Sequence, residues 1–340
     1  LDLLYAFPKN MKLKIDRFVL SVIVVIGLAY LFPQWGISES KIPIDTISAI
    51  GISLIFFFYG LKLSPSKLKD RLKNWRLHLL VQASTFLISP LLVLLFRPLI
   101  QNGEQEIIWL AFFFLAALPS TVSSSVVMVS IAKGNIPAAI FNASISGIIG
   151  VLLTPLWMGL FVKNAQTEFD FADIYLQLIV QIILPVLLGV VLQRLWGEYA
   201  QKYGKQLTLF DKSVILLIIY KSFARSFDEN IFNAISFLDL LIVFIAVLAL
   251  FVILYVLTGF LAKKLKFNTE DQITAQFCGT KKSLVHGTVF AKIIFGNAAT
   301  IGIILLPLML FHALQLLVIS VLASKMGDKN QAIKDGSPSS

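Results

Sequence analysis

Two lysines sit side by side in a stretch that is otherwise apolar. The run Phe277-Cys278-Gly279-Thr280-Lys281-Lys282-Ser283 lies inside segment 273–295, which is long and hydrophobic enough to read as a membrane span. A cation in the hydrocarbon layer costs at least about 2.5–3.5 kcal/mol, even on insertion scales. On a regular helix adjacent side chains point about 100° apart, and neither lysine lies near a span end from which it could reach the interface. Both need water, carbonyl oxygens or an anion, so Gly279, Thr280, Lys281, Lys282 and Ser283 form one candidate binding stretch. A second cluster follows Pro119, where Ser120, Thr121, Ser123, Ser124 and Ser125 put five hydroxyls into six positions of segment 107–132. Such a run suits close helix packing as well as a ligand or ion, and both readings stay open. Thr121, Ser123, Ser124 and Ser125 are candidates on the second reading. Asn142 and His286 follow the two clusters and are candidates for facing a cavity. A histidine there could relay protons.

Other chemistry finds little support. The run Gly279–Ser283 lacks the earlier glycine and the adjacent Gly-Lys pair of a phosphate loop, and no strand precedes it. The three histidines sit in separate spans, so neither a metal pair on one helix face nor a Ser/His/Asp set is apparent. The single cysteine, Cys278, excludes a disulfide scaffold and reads as a small packing residue. No enzyme is expected. Three more basic residues fall within spans. Arg225 and Lys292 read as side chains that reach back to the interface, while Lys221 is open.

The elements that must hold these residues are membrane helices. Of 340 residues 57% are hydrophobic and 14% charged, against about 45–50% and 25% in soluble domains. Apolar runs recur at 17–34, 45–62, 77–97, 107–132, 136–162, 174–193, 213–227, 237–262, 273–295 and 298–324, each near the length a helix needs to cross a bilayer. Loop charge tests that count. With both termini inside, 21 Lys and Arg fall in inside segments and only Lys41, Arg97 and Lys163 outside, the expected inside bias. Dropping either weakly apolar span, 213–227 or 273–295, would invert every later loop. The net charge of +10 thereby belongs to the cytoplasmic membrane surface, and no nucleic acid is expected. No cleavable signal is expected before the first span, since Lys12, Lys14 and Arg17 lead straight into it with no small-residue cleavage site.

The fourth and ninth spans match. Thr121 lies 13 residues before Gly134, and Ser283 lies 13 before Gly296; Gly134-Asn135 and Gly296-Asn297 are each followed by a paired alanine. An offset of five spans forces the two halves to enter the membrane in opposite senses, with Asn135 inside and Asn297 outside. This is the inverted repeat of many secondary transporters, whose sites lie where discontinuous helices break near the midplane. The expected fold is therefore an all-α polytopic membrane protein of ten transmembrane helices in two inverted five-helix repeats, with broken, crossing helices four and nine. Its parts are a cytoplasmic segment 1–16, a first repeat 17–162, a second repeat 174–326 and a disordered cytoplasmic tail 327–340.

The residues Phe57-Phe58-Tyr59-Gly60-Leu61, Pro119-Ser120-Thr121-Val122-Ser123-Ser124, Lys133-Gly134-Asn135 and Phe277–Ser283 resemble the bile acid:sodium symporter superfamily, in a bacterial branch near the vertebrate sodium/bile acid cotransporter 7. The resemblance runs from about Met11 to Met326. It implies that spans one, two, six and seven form a panel and the others a core, and that alternating access moves one against the other. Sodium-coupled members carry Ser-Asn in the broken fourth span and Glu-x-Gly-x-Gln-Asn in the ninth. Here Ser125 stands at the serine and Val126 at the asparagine. Phe277 stands at the glutamate, Lys281 at the glutamine and Lys282 at the asparagine, so only Ser125 and Gly279 carry over. The expectation is a secondary active transporter, a multi-pass solute carrier of a bacterial plasma membrane with both termini cytoplasmic. It would move a small organic anion by alternating access. No cofactor is expected, sodium is disfavoured, and the bilayer is the other partner. The alternatives are a non-transporting regulator of ion (calcium) homeostasis, to which the vertebrate relative is linked, and a channel.

Overall fold

The computed structural model describes residues 17–36, 43–63, 74–100, 103–121, 123–162, 171–230, 236–296 and 300–334. Among them there are helices and turns and no strand. Helix α1 is Arg17–Leu31 and α2 is Ile44–Lys62. Helix α3 runs Trp75–Ala83, a π-helical turn Ser84–Ile88, and Ser89–Leu94. Next come α4 Gly103–Ala117, α5 Ser123–Ile131 and α6 Ile136–Gly159. Helix α7 joins Phe171–Leu178, a π-helical turn Ile179–Ile183, and Leu184–Lys202. The rest are α8 Gly204–Asp228, α9 Phe237–Lys264, α10 Thr269–Thr280, α11 Leu284–Phe295 and α12 Ile301–Lys334.

Local sequence explains most of the boundaries. Asn135 caps α6 by accepting from the Ala138 N–H, with Pro137 in the first turn. Ser236 and Asp239 form a reciprocal capping box at the start of α9. Asn268 caps α10 and Ser283 caps α11. Both π-helical turns stand just before a proline, Pro90 or Pro185, which has no N–H to continue the α ladder.

Among the described residues six helical runs are long and apolar enough to cross a membrane. The others fall short for identifiable reasons. Helix α1 is described from Arg17 on, over 15 residues, α8 carries Lys205, Asp211, Lys212, Lys221 and Arg225, and each of α4, α5, α10 and α11 is half of an interrupted rod. Leu187, Leu188 and Val191 on α7 and Leu241, Ile242 and Ile245 on α9 face outward, as side chains toward lipid do. The protein is a multi-pass membrane protein.

The helices pack in two groups. In one, α2 lies along α7, and α8 packs against α1 and α2. The α2–α7 backbones touch at Gly60 and Gly189: a Cβ on Gly60 would clash with the Val186 carbonyl, and one on Gly189 with the Phe57 carbonyl. In the other, α4 packs against α12, α10 against α3 and α9, and α11 against α12. Helix α8 meets α11 and α12 across the boundary. Helix α12 continues through residues 327–334 instead of giving way to the disordered tail expected from 327, since Gln331, Ala332 and Lys334 are good helix formers and Gly327 packs on the Ile131 carbonyl. Segment 1–16, the basic stretch 64–73, the acidic stretch 163–170, Asn297 and residues 335–340 lie outside the described residues.

Candidate functional site at the crossing of two broken rods

The two interrupted rods meet at their interruptions. The first breaks after Ala117 and resumes at Ser123; the second breaks after Thr280 and resumes at Leu284. The Ser283 N–H donates to the Pro119 carbonyl at 2.9 Å, and the Ser120 hydroxyl donates to the Cys278 carbonyl at 2.7 Å. Both breaks fall where the sequence places them, although Ser123, Ser124 and Ser125 form the first turn of α5 and not the unwound stretch itself.

Broken helix ends leave carbonyls without partners, and in a dry interior each must find one. The end of α4 shows how. The Ala117 carbonyl accepts from the Thr154 hydroxyl (2.8 Å), and the Pro119 carbonyl from Ser283. The Ala116 and Leu118 carbonyls both accept from the Lys282 ammonium, at 2.6 and 3.0 Å. Its third acceptor is the Thr85 carbonyl at 2.8 Å. That carbonyl is free because the Ser89 N–H is spent on Ser84 in the π-helical turn and Pro90 has none to give. An ammonium has three donors, and here three orphaned carbonyls take all of them. Lys282 is fully buried. Its own peptide group is held by Gln315, whose Oε1 accepts from the Lys282 N–H and whose Nε2 donates to the Lys282 carbonyl, both at 2.9 Å.

Lys281 is equally buried but differently used. Its ammonium donates to the Ser124 hydroxyl at 2.7 Å, its one partner among the described residues. Ser124 and Ser125 hydroxyls each hydrogen-bond to the Thr121 hydroxyl, at 2.9 and 2.8 Å. Lys281, Thr121, Ser124 and Ser125 thus make one polar patch beside the break. Both lysines are fully buried, while Ser124 is half-buried.

The remaining candidates take distinct places. Ser283 caps α11 and hydrogen-bonds to the His286 ring at 2.9 Å. Gly279 packs against Ser84 and Thr258, with 3.1 and 3.2 Å available to a Cβ. The hydroxyls of Thr280, Ser84 and Thr258 are buried without a hydrogen-bond partner among the described residues. His286 abuts Gly147 and the Phe56 ring. Asn142 lies with α3, bonded to the His78 ring and to Gln82, and makes no hydrogen bond to either lysine among the described residues. The Ser123 side chain lies outside the described residues. Phe277, at the position of the superfamily's glutamate, is fully buried near the Tyr255 ring.

Sequence reasoning missed the acceptors of Lys282, since backbone carbonyls carry no residue signature. Pro90 was the one hint of a freed carbonyl, and Gln315, an amide in a span, the one hint of a partner for the second break. Lys221, Arg225 and Lys292 lie away from the crossing, with Lys221 and Lys292 sharing the Asp45 carboxylate and Arg225 paired to Glu229.

Residues 16–328 match the model of the SBF-like CPA transporter family. An uncharacterised protein of Pseudomonas aeruginosa is 37% identical over 310 residues, covering 91% of this chain and 92% of its own. The putative symporter YfeH of Escherichia coli is 36% identical over 313 residues, 92% of each chain. Sodium/bile acid cotransporter 7 of Rattus norvegicus is 30% identical over 312 residues, covering 90% of this chain and 91% of its own.

Proposed function

Because the chain belongs to the SBF-like CPA transporter family, and is therefore a membrane transporter and not an enzyme, we propose that it carries a small organic anion by alternating access, and that the fixed Lys282 ammonium takes the place of a loaded sodium ion at the crossing. The observation that carries this reading is the ammonium on three carbonyls. Two broken rods that meet inside a bilayer need positive charge for their free carbonyls. A sodium ion would supply it transiently and needs an oxygen cage. Here the donor is a side chain of the protein itself, held on three carbonyls. Phe277 offers no carboxylate to a cation. A second cation about 4 Å from the ammonium would be opposed by roughly 4 kcal/mol at an effective dielectric of 20, about a thousandfold in affinity.

In this proposal the interrupted rods count as the fourth and ninth of ten spans related by an inverted repeat. The group containing α1, α2, α7 and α8 moves against the rest, in a bacterial plasma membrane with both chain ends cytoplasmic. Lys281, which among the described residues spends one donor on Ser124 and lies beside the Thr121 and Ser125 hydroxyls, offers an anion both charge and hydrogen bonds. The test is a thermal-shift screen of organic anions in sodium-free choline buffer, followed by counterflow of a labelled hit in proteoliposomes. Saturable exchange that is accelerated from the opposite side and is indifferent to sodium is expected. Flux without such acceleration would make the protein a channel, and no flux would favour a regulator.

A further inference from the structure

We propose a second anion site, distinct from the crossing: a cleft at the end of the molecule where α2 begins and α8 and α11 end, which takes the carboxylate of a small organic anion. It rests on the carrier reading for its purpose but not for its geometry. The cleft is lined by Ser48, Ile218, Lys221, Arg225, Lys292 and Ile301. Three cations converge there from both helix groups, Lys221 and Arg225 on α8 and Lys292 on α11. The two lysines share a single carboxylate. Lys221 pairs with Asp45 Oδ2, and Lys292 lies 3.7 Å from Asp45 Oδ1 and 3.3 Å from its carbonyl. Arg225 spends its Nε on Glu229 at 2.7 Å, and among the described residues its two Nη groups have no partner, the fork that suits a carboxylate. Ser48 points the same way. It is 1% exposed, lines this cleft, and its hydroxyl has no hydrogen-bond partner among the described residues. A buried donor is rarely left unmade. Ile218 and Ile301, both nearly fully buried, form the apolar side of the cleft.

Asp45 is then the internal stand-in for the ligand's carboxylate. It also ties α2 and α8 to α11, one helix group to the other. An incoming carboxylate that takes over Lys221 and Lys292 releases that tie as it binds, so arrival of the anion and freeing of the two groups become one event.

The test is calorimetric titration of benzoate into the purified full chain in choline chloride at fixed ionic strength, with sulfate as a second arm. Asp45→Asn, which removes the internal competitor, is expected to tighten benzoate binding about tenfold. Lys221→Gln and Lys292→Gln are each expected to weaken it about tenfold, and Ser48→Ala a few-fold. Lys292→Arg, which keeps the charge, should recover part of the affinity lost in Lys292→Gln and so separates loss of the site from loss of the fold. Asp45→Asn that binds more weakly or unchanged overturns the proposal, and sulfate binding without benzoate binding overturns the assignment to an organic carboxylate. Benzoate binding that ignores these variants but is lost in Lys281→Gln overturns this cleft while leaving the carrier reading intact. Absence of binding in both arms also overturns the cleft, and counterflow then judges the carrier reading separately.

Discussion

The two adjacent lysines divide the work at the crossing. Lys282 donates to three backbone carbonyls, those of Thr85, Ala116 and Leu118. Lys282→Met would fill the volume but leave all three unpaired, at about 1–3 kcal/mol for each buried acceptor. The offsetting gain, removal of a buried charge, is the smaller one where the charge is saturated with hydrogen bonds. A net loss of about 3 kcal/mol or more is expected, read as a fall in melting temperature of the purified variant. Lys281→Gln loses one hydroxyl contact, worth about 0.5–1.5 kcal/mol, and can remake it through its amide. It should fold with nearly the parent melting temperature and lose anion exchange. Equal melting temperatures for the two variants would contradict this division. That both lysines matter was legible in the sequence, because two cations mid-span demand an explanation. Which one is structural was not. The deciding acceptor, Thr85, is 197 residues away, and its carbonyl is free only because of a π-helical turn.

Helices carry the geometry by close approach and by interruption. Gly60 and Gly189 let α2 and α7 touch backbone to backbone. Gly60→Ala and Gly189→Ala should each cost about 1–3 kcal/mol by overpacking. Together they should cost less than the sum, since the first Cβ already parts the helices that the second would have met. Additive losses would place the two glycines in separate contacts. The breaks themselves could be read from Pro119 and from the polar run after Gly279, because a proline and a string of backbone-competing side chains both end helices. Helix lengths were less legible. Hydropathy begins the seventh span at 213, yet α8 starts at Gly204: helix formation continues through charged residues once they leave the hydrocarbon. The π-helical turns have no pattern beyond a following proline.

At the scale of the whole chain, the loop charges and the matched breaks make one topological claim. In a background where Cys278, the single cysteine, is replaced by Ala, Ser130→Cys at the exposed end of α5 and Asn297→Cys after α11 should react with a membrane-impermeant thiol reagent from opposite sides of the membrane. Labelling of both from one side would remove the inverted repeat. The same scale holds the central proposal, that the positive charge joining the two broken rods is built in and not loaded. The direct measurement is the melting temperature of the purified protein as sodium chloride replaces choline chloride at constant ionic strength. A flat response from zero to saturating sodium is expected, because Lys282 already occupies the three carbonyls. A saturable rise with sodium, absent in lithium and choline, would mean that an ion is bound where the ammonium was assigned and would contradict the proposal.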